Sequence, residues 1–183
     1  MCPRSGPLLA GAVLVGLASS VYWTFAVDHL ATAGGISSTE TRLFLGVVGV
    51  ASVGGTVGGD AVRRVGAHAT FTVAVAAEAA ALLVLGLAPD HVGAAFASAV
   101  LFGASYNLVV AVQVIWSGQV FGERPSAGLA AVVGFNALGL LLGPPIFGYL
   151  ADLTAFAAVF AAAALLLLAA SALAPRERLE QRR

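Results

Sequence analysis

Residues 92–120, VGAAFASAVLFGASYNLVVAVQVIWSGQV, contain no charged side chain. An α-helix rises about 1.5 Å per residue, so roughly 20 residues cross the ~30 Å hydrocarbon core of a bilayer. This stretch is long enough to do so. Backbone N–H and C=O groups inside lipid are satisfied only in helices or closed barrels. A barrel strand would alternate apolar and polar residues over about ten positions, and the stretch does not alternate. It therefore reads as a transmembrane helix.

Five further runs of the same kind surround it, so the expected helices lie at about 7–27, 43–59, 69–88, 92–120, 127–150 and 156–174. The whole chain of 183 residues is 60% hydrophobic and 10% charged, with mean hydropathy +0.96. A soluble domain carries about 25% charged residues. The fold class that follows is an all-α membrane protein of six transmembrane helices. One bundle would span 1–175, followed by a basic tail at 176–183. The breaks between runs carry turn formers and charges: Asp28-His29 to Thr41-Arg42, Asp60 to His68, Pro89-Asp90-His91, Gly122 to Pro125, and Ala151-Asp152.

The first run needs separating from a secretory signal, because Arg4 precedes it and Ala18, Ser19 and Ser20 resemble a cleavage site. The apolar stretch continues through Tyr22, Trp23 and Phe25 to Val27. That exceeds a signal core of about 7–15 residues, and an uncleaved first helix is expected.

Several function classes are excluded. Formal net charge is zero and the cations are all arginine, so no basic surface for nucleic acid is expected. Cys2 is the only cysteine, which rules out an intrachain disulfide. No His, Cys, Asp and Glu spacing suits a metal, and no phosphate-binding loop is present. No nucleophile, base and oxyanion donor assemble into a catalytic pattern. The reading is of a non-enzyme without cofactor or metal.

Arginines set the orientation, since cytoplasmic loops of inner-membrane proteins are enriched in them. With the N-terminus inside, the cytoplasmic side collects Arg4, Arg63, Arg64, Arg124, Arg176, Arg178, Arg182 and Arg183, leaving only Arg42 outside. Both termini are expected in the cytoplasm.

Small residues suggest how the helices pack. Ala51, Gly55 and Gly59 recur every four residues in the second run, with Gly54 and Gly58 alongside. Gly139 and Gly143 do so in the fifth. Such stripes let backbones approach closely where lipid removes the hydrophobic driving force, although Gly is simply abundant here. Pro144 beside Gly143 can kink the fifth helix, either as a hinge or as a fixed bend for packing. The sixth run, nearly all Ala and Leu apart from Ser171, reads as a lipid-facing scaffold.

Polar groups inside apolar runs are candidate functional residues because lipid penalises them. The fourth run is richest, with Ser105, Tyr106, Asn107, Gln113, Trp116 and Ser117; helical spacing puts Tyr106, Gln113 and Ser117 on one face. They can bind a solute or hydrogen-bond between helices, and Trp116 can instead sit in an interfacial aromatic belt. Glu78 is the one carboxylate well inside a run. Proton coupling and a structural or near-surface placement are both open to it. Asn136 in the fifth run can cap a kink or meet a partner. Asp28, His29, His68 and His91 read as solvated.

Gly59-Asp60-Ala61-Val62-Arg63-Arg64-Val65-Gly66-Ala67-His68 resembles the cytoplasmic signature Gly-x-x-x-Asp-Arg-x-Gly-Arg-Arg of the major facilitator superfamily. Gly59, Arg64 and Gly66 match, while Arg63 replaces the acidic residue. Gly139-x-x-x-Gly143-Pro144-Pro145-x-x-Gly148 is similar to that family's Gly/Pro helix motif. Gly122-Glu123-Arg124-Pro125 and Gly148 to Asp152 are also similar to family segments. The resemblance covers about residues 8–175 and fits the second six-helix half of such a transporter. It implies that the first and fourth helices line the substrate cavity, which puts Tyr22, Trp23 and Phe25 opposite Tyr106, Asn107 and Gln113. It also implies that the third helix, with Glu78, is peripheral. The function implied is secondary-active transport of a small organic solute by alternating access in the cell membrane. The expected partner is a second copy, as a homodimer, or a separate N-terminal half. The alternative is a non-transporting six-helix protein with a structural or assembly role, or a truncated fragment.

Overall fold

A computed structural model describes residues 5–175. Cys2, Arg4 and the tail at 176–183, with Arg176, Arg178, Arg182 and Arg183, lie outside the described residues. The described chain is helical throughout, without strands: α1 (Ser5–Thr32), α2 (Ser38–Ala51), a 3₁₀ segment (Ser52–Val57), α3 (Gly58–Val65), α4 (Ala67–Leu87), α5 (Val92–Val120), α6 (Pro125–Leu153) and α7 (Phe156–Ser171). Read with α2, the 3₁₀ segment and α3 as one broken helix, this is six helices. Five are long and apolar enough to cross a membrane, and Phe156–Ser171 is a shorter apolar one.

Most helices overrun the limits expected from the apolar runs, because charge alone does not end a helix. Helix α1 continues through Asp28 and His29 to Thr32. A capping box starts α2: the Ser37 side chain accepts from the Glu40 N–H, and the Glu40 carboxylate accepts from the Ser37 N–H. This satisfies two otherwise unpaired donors. The expected loop Asp60–His68 is mostly helix, with Asp60 and Arg63 paired one turn apart on α3. Only Gly66 turns the chain, with φ 89° and ψ 158°, a region open essentially to glycine.

The break in the second span occurs where it presses on α5. Ser52 Oγ and Thr56 Oγ1 donate back to the Val48 and Val53 carbonyls, each at 2.8 Å. A Cβ on Gly55 would strike Asn107, and one on Gly58 would meet Ala111 Cβ at 2.8 Å. Helix α6 docks on α1 in the same manner and makes that helix's most extensive contact. Gly139 lies against the α1 backbone at Val13–Leu17, Gly143 lies against Ser20, and Asn136 Nδ2 donates to the Ala12 carbonyl at 3.4 Å. Gly54, Gly55 and Gly58 of the second helix and Gly139 and Gly143 of the fifth therefore meet partners within the bundle, whereas Gly59 is approached only by a terminal nitrogen of Arg63.

The sixth helix also needs correction. Val159, Phe160, Ala163, Ala164, Leu167 and Ala170 of α7 are buried, against α4 and α1. Gly86 of α4 takes the Phe160 side chain. Alanine is small enough to bring helices together, so an Ala-rich run does not by itself mark a lipid face. Leu165 and Leu168 keep the other face exposed.

Candidate functional site

Where α1 meets α5, five aromatic rings form one cluster. Tyr22 stacks on Phe102 with centroids 3.7 Å apart and on Phe44 at 5.9 Å. Phe102 stacks on Tyr106 at 5.7 Å. Trp23 stands edge-on to both, 5.4 Å from Phe102 and 5.8 Å from Tyr106. Helical periodicity decides who is visible: Tyr22 points inward and is 2% exposed, while its neighbour Trp23 is 46% exposed. Tyr106 beside it, and Asn107 next along α5, are half-buried.

The structure thus brings Tyr22, Trp23 and Tyr106 together but assigns them different positions. Trp23 and Tyr106 present ring surface, and Tyr22 supports them from behind. Phe25 does not join them, because its ring lies 6.0 Å from Phe156 of α7. Asn107 packs its Cβ against Gly55 and reaches the Gly103 carbonyl only at 3.5 Å. Its amide therefore has unused hydrogen-bonding capacity.

Gln113 is fully buried, and neither its amide nitrogen nor its oxygen has a partner. It does not open onto the exposed aromatic face in this conformation. Trp116 is buried with Leu8, Ala12 and Val132 and lies edge-on to Phe71, so it packs the bundle rather than a membrane-interface belt. Ser105 and Ser117 return their hydroxyls to carbonyls of their own helix at 2.6 and 2.7 Å. That back-bonding replaces the interhelical bonds considered for them. His29, expected to be solvated, is 4% exposed, its ring 5.4 Å from Phe156 and 5.1 Å from Phe160. These two aromatic rings of α7 cover it.

Glu78 is 0% exposed in the middle of α4. Its Oε1 lies 2.5 Å from Ser19 Oγ of α1, and its Oε2 has no hydrogen-bond partner. It is neither near-surface nor peripheral. One turn further along α1, the Tyr22 hydroxyl meets Ser98 Oγ at 2.9 Å. Ser19 entered the sequence reading only as part of a cleavage-site resemblance and Ser98 not at all, because a serine in an apolar run gives no sign of a partner 59 or 76 positions away.

Gly59 and Arg64 fall on α3, with Arg64 exposed and Gly66 in the turn that follows. Gly139 and Gly143 serve the α1 contact, and α6 runs on through Pro144 and Pro145. Those prolines deprive the Leu140 and Leu141 carbonyls of N–H donors. Two shallow depressions lie at the helix ends, one at Val120–Arg124 and one lined by Val27, Ala31, Ile36, Ser38, Thr41 and Arg42. Neither touches the aromatic cluster. Among the described residues no group of three or more His, Cys, Asp or Glu side chains is placed to hold a metal.

Residues 8–182 match the family described as Major Facilitator Superfamily. No curated protein matches the chain significantly.

Proposed function

The chain belongs to the major facilitator superfamily of membrane transporters, and from that premise we propose that it carries a small organic solute by alternating access. The solute rests on Trp23, Tyr106 and Asn107. The observation that carries this reading is Trp23, an indole 46% exposed within a helix long enough to span the bilayer. It stands edge-on to Phe102 and Tyr106 where α1 meets α5. Such a surface stacks a planar or cationic group, and ring contacts of this kind contribute about 0.5–2 kcal/mol. The half-used amide of Asn107 supplies orientation.

Transporters of this architecture hold substrate near the bilayer midplane, between two repeats that rock about it. The partner proposed is a second six-helix bundle, supplied by another copy of this chain or by a separate chain, whose face closes over Trp23. The arginine distribution supports placement in the cell membrane with both ends cytoplasmic.

Counterflow tests the reading. Liposomes containing the protein are loaded with an unlabelled solute and diluted into a trace of the labelled one, using a panel of small aromatic and amine solutes. A carrier produces transient accumulation of label, and Trp23→Ala reduces it. Uptake indistinguishable from protein-free liposomes across the panel would contradict solute transport.

A further inference from the structure

Two polar rungs cross the centre of the bundle. In the first, Ser19 Oγ lies 2.7 Å from the Val15 carbonyl and 2.5 Å from Glu78 Oε1. In the second, the Tyr22 hydroxyl lies 2.9 Å from Ser98 Oγ, which in turn lies 2.8 Å from the Ala81 carbonyl. A hydroxyl has one hydrogen to give, and a backbone carbonyl has none. Ser98 spends its hydrogen on Ala81, so Tyr22 donates to Ser98 and the second rung is complete. Ser19 is in the same position with respect to Val15. Its one hydrogen is otherwise divided between the Val15 carbonyl and Glu78 Oε1, and a hydrogen on the carboxyl group gives each contact a donor of its own.

The surroundings agree with that count. Facing Glu78 are Ser19 and, one turn on, Tyr22 from α1, and Tyr106 within electrostatic reach from α5. The buried face of α7 is Val, Phe, Ala and Leu. Among the described residues no cation is paired with Glu78. A bare carboxylate without a paired cation is costly in a low-dielectric interior. The 2.5 Å separation is that of two oxygens sharing a hydrogen. Two oxygens ligating one metal ion stand further apart.

We propose that Glu78 is a proton-binding site, holding its hydrogen against Ser19 while α1 and α4 are packed and releasing it when α1 moves. On release the carboxyl O–H bond breaks, its electron pair stays on Oε1 and the proton passes to water. Closure reverses the step. Tyr22 and Trp23 ride on the same helix as Ser19, so displacement of the aromatic face displaces the hydrogen-bond partner of Glu78. The release step rests on the alternating-access reading, whereas the bound proton does not.

Infrared difference spectroscopy of the full chain in lipid nanodiscs tests the site. At neutral pH the wild-type chain is expected to show a protonated-carboxyl C=O band that Glu78→Gln removes. Ser19→Ala should keep the band but move it to higher frequency, as a carboxyl that has lost its hydrogen-bond partner does. The band should also fade reversibly on alkaline titration. Glu78→Gln keeps the neutral shape and should melt with the wild type; should it fail to fold, the Ser19→Ala band shift still identifies the carboxyl. Absence of the band at neutral pH overturns the proton site. A band that persists unchanged to the alkaline limit of folding overturns release and leaves a fixed structural acid. None of these readouts needs a transported solute, so they succeed or fail apart from the transport reading.

Discussion

Replacing Gly139 by alanine should destabilise the bundle, whereas the same change at Gly134 on the same helix should not. A Cβ at Gly139 would approach Leu17 N to 2.7 Å and Gly16 C to 3.0 Å, and would collide with the Val13 carbonyl. All three are backbone atoms of α1, which cannot swing aside as a side-chain tip can. Overpacking of this kind costs about 1–3 kcal/mol, and backbone collision puts Gly139→Ala near the upper end. Alanine regains about 1 kcal/mol of helix propensity, for a net loss of about 2 kcal/mol. Gly134 has nothing within 4 Å, so Gly134→Ala keeps the propensity gain alone. At about 2–4 °C per kcal/mol for a chain of this size, Gly139→Ala should melt roughly 4–8 °C lower. Gly134→Ala should melt level with the wild type or slightly higher. Thermal unfolding in mild detergent followed by circular dichroism reads both. Equal melting temperatures would refute the claim that α6 docks on α1 through Gly139.

Gly66→Ala should cost about 1–3 kcal/mol in the same melt, since φ 89° with ψ 158° is forced on a side-chain-bearing residue; an unchanged melt would mean the α3–α4 turn is built otherwise. Gln113→Leu removes a buried amide with no partners and should be neutral or stabilising. A loss above about 2 kcal/mol would show that the amide is satisfied by a group or water in the folded protein. In a Cys2→Ser background, Arg64→Cys and Asp90→Cys should label from opposite sides of the membrane; labelling of both from outside in intact cells would overturn the orientation drawn from the arginines.

The membrane fold was legible because uncharged runs of bilayer length have few other uses, and Val92–Val120 occupies the span its composition predicts. Helix ends were less legible. Charges at Asp28, Asp60 and Arg63 mark the edge of lipid, but backbone hydrogen bonding carries the helices past it. The glycine stripes announced close packing without naming partners, because each pairing joins residues far apart in sequence, as Gly139 with Val13. At the candidate site, Trp23 and Tyr106 were readable as aromatic residues inside a span. Their separation from Phe25, only two positions from Trp23, follows from helix rotation toward α7, which no single run records. Glu78 stood out as an acid in lipid. Its partner Ser19 did not, and the placement of Gln113 away from the aromatic face follows from packing alone.

In the proposed carrier, Trp23 borders a water-accessible path for solute rather than lipid. Accessibility of Trp23→Cys in a Cys2→Ser background tests it most directly, using a membrane-impermeant thiol reagent from each side of native membranes. Leu165→Cys, at a position exposed on α7, serves as the lipid-facing control. Trp23→Cys should react from at least one side while Leu165→Cys does not. A Trp23→Cys variant as inert as Leu165→Cys from both sides would contradict that placement.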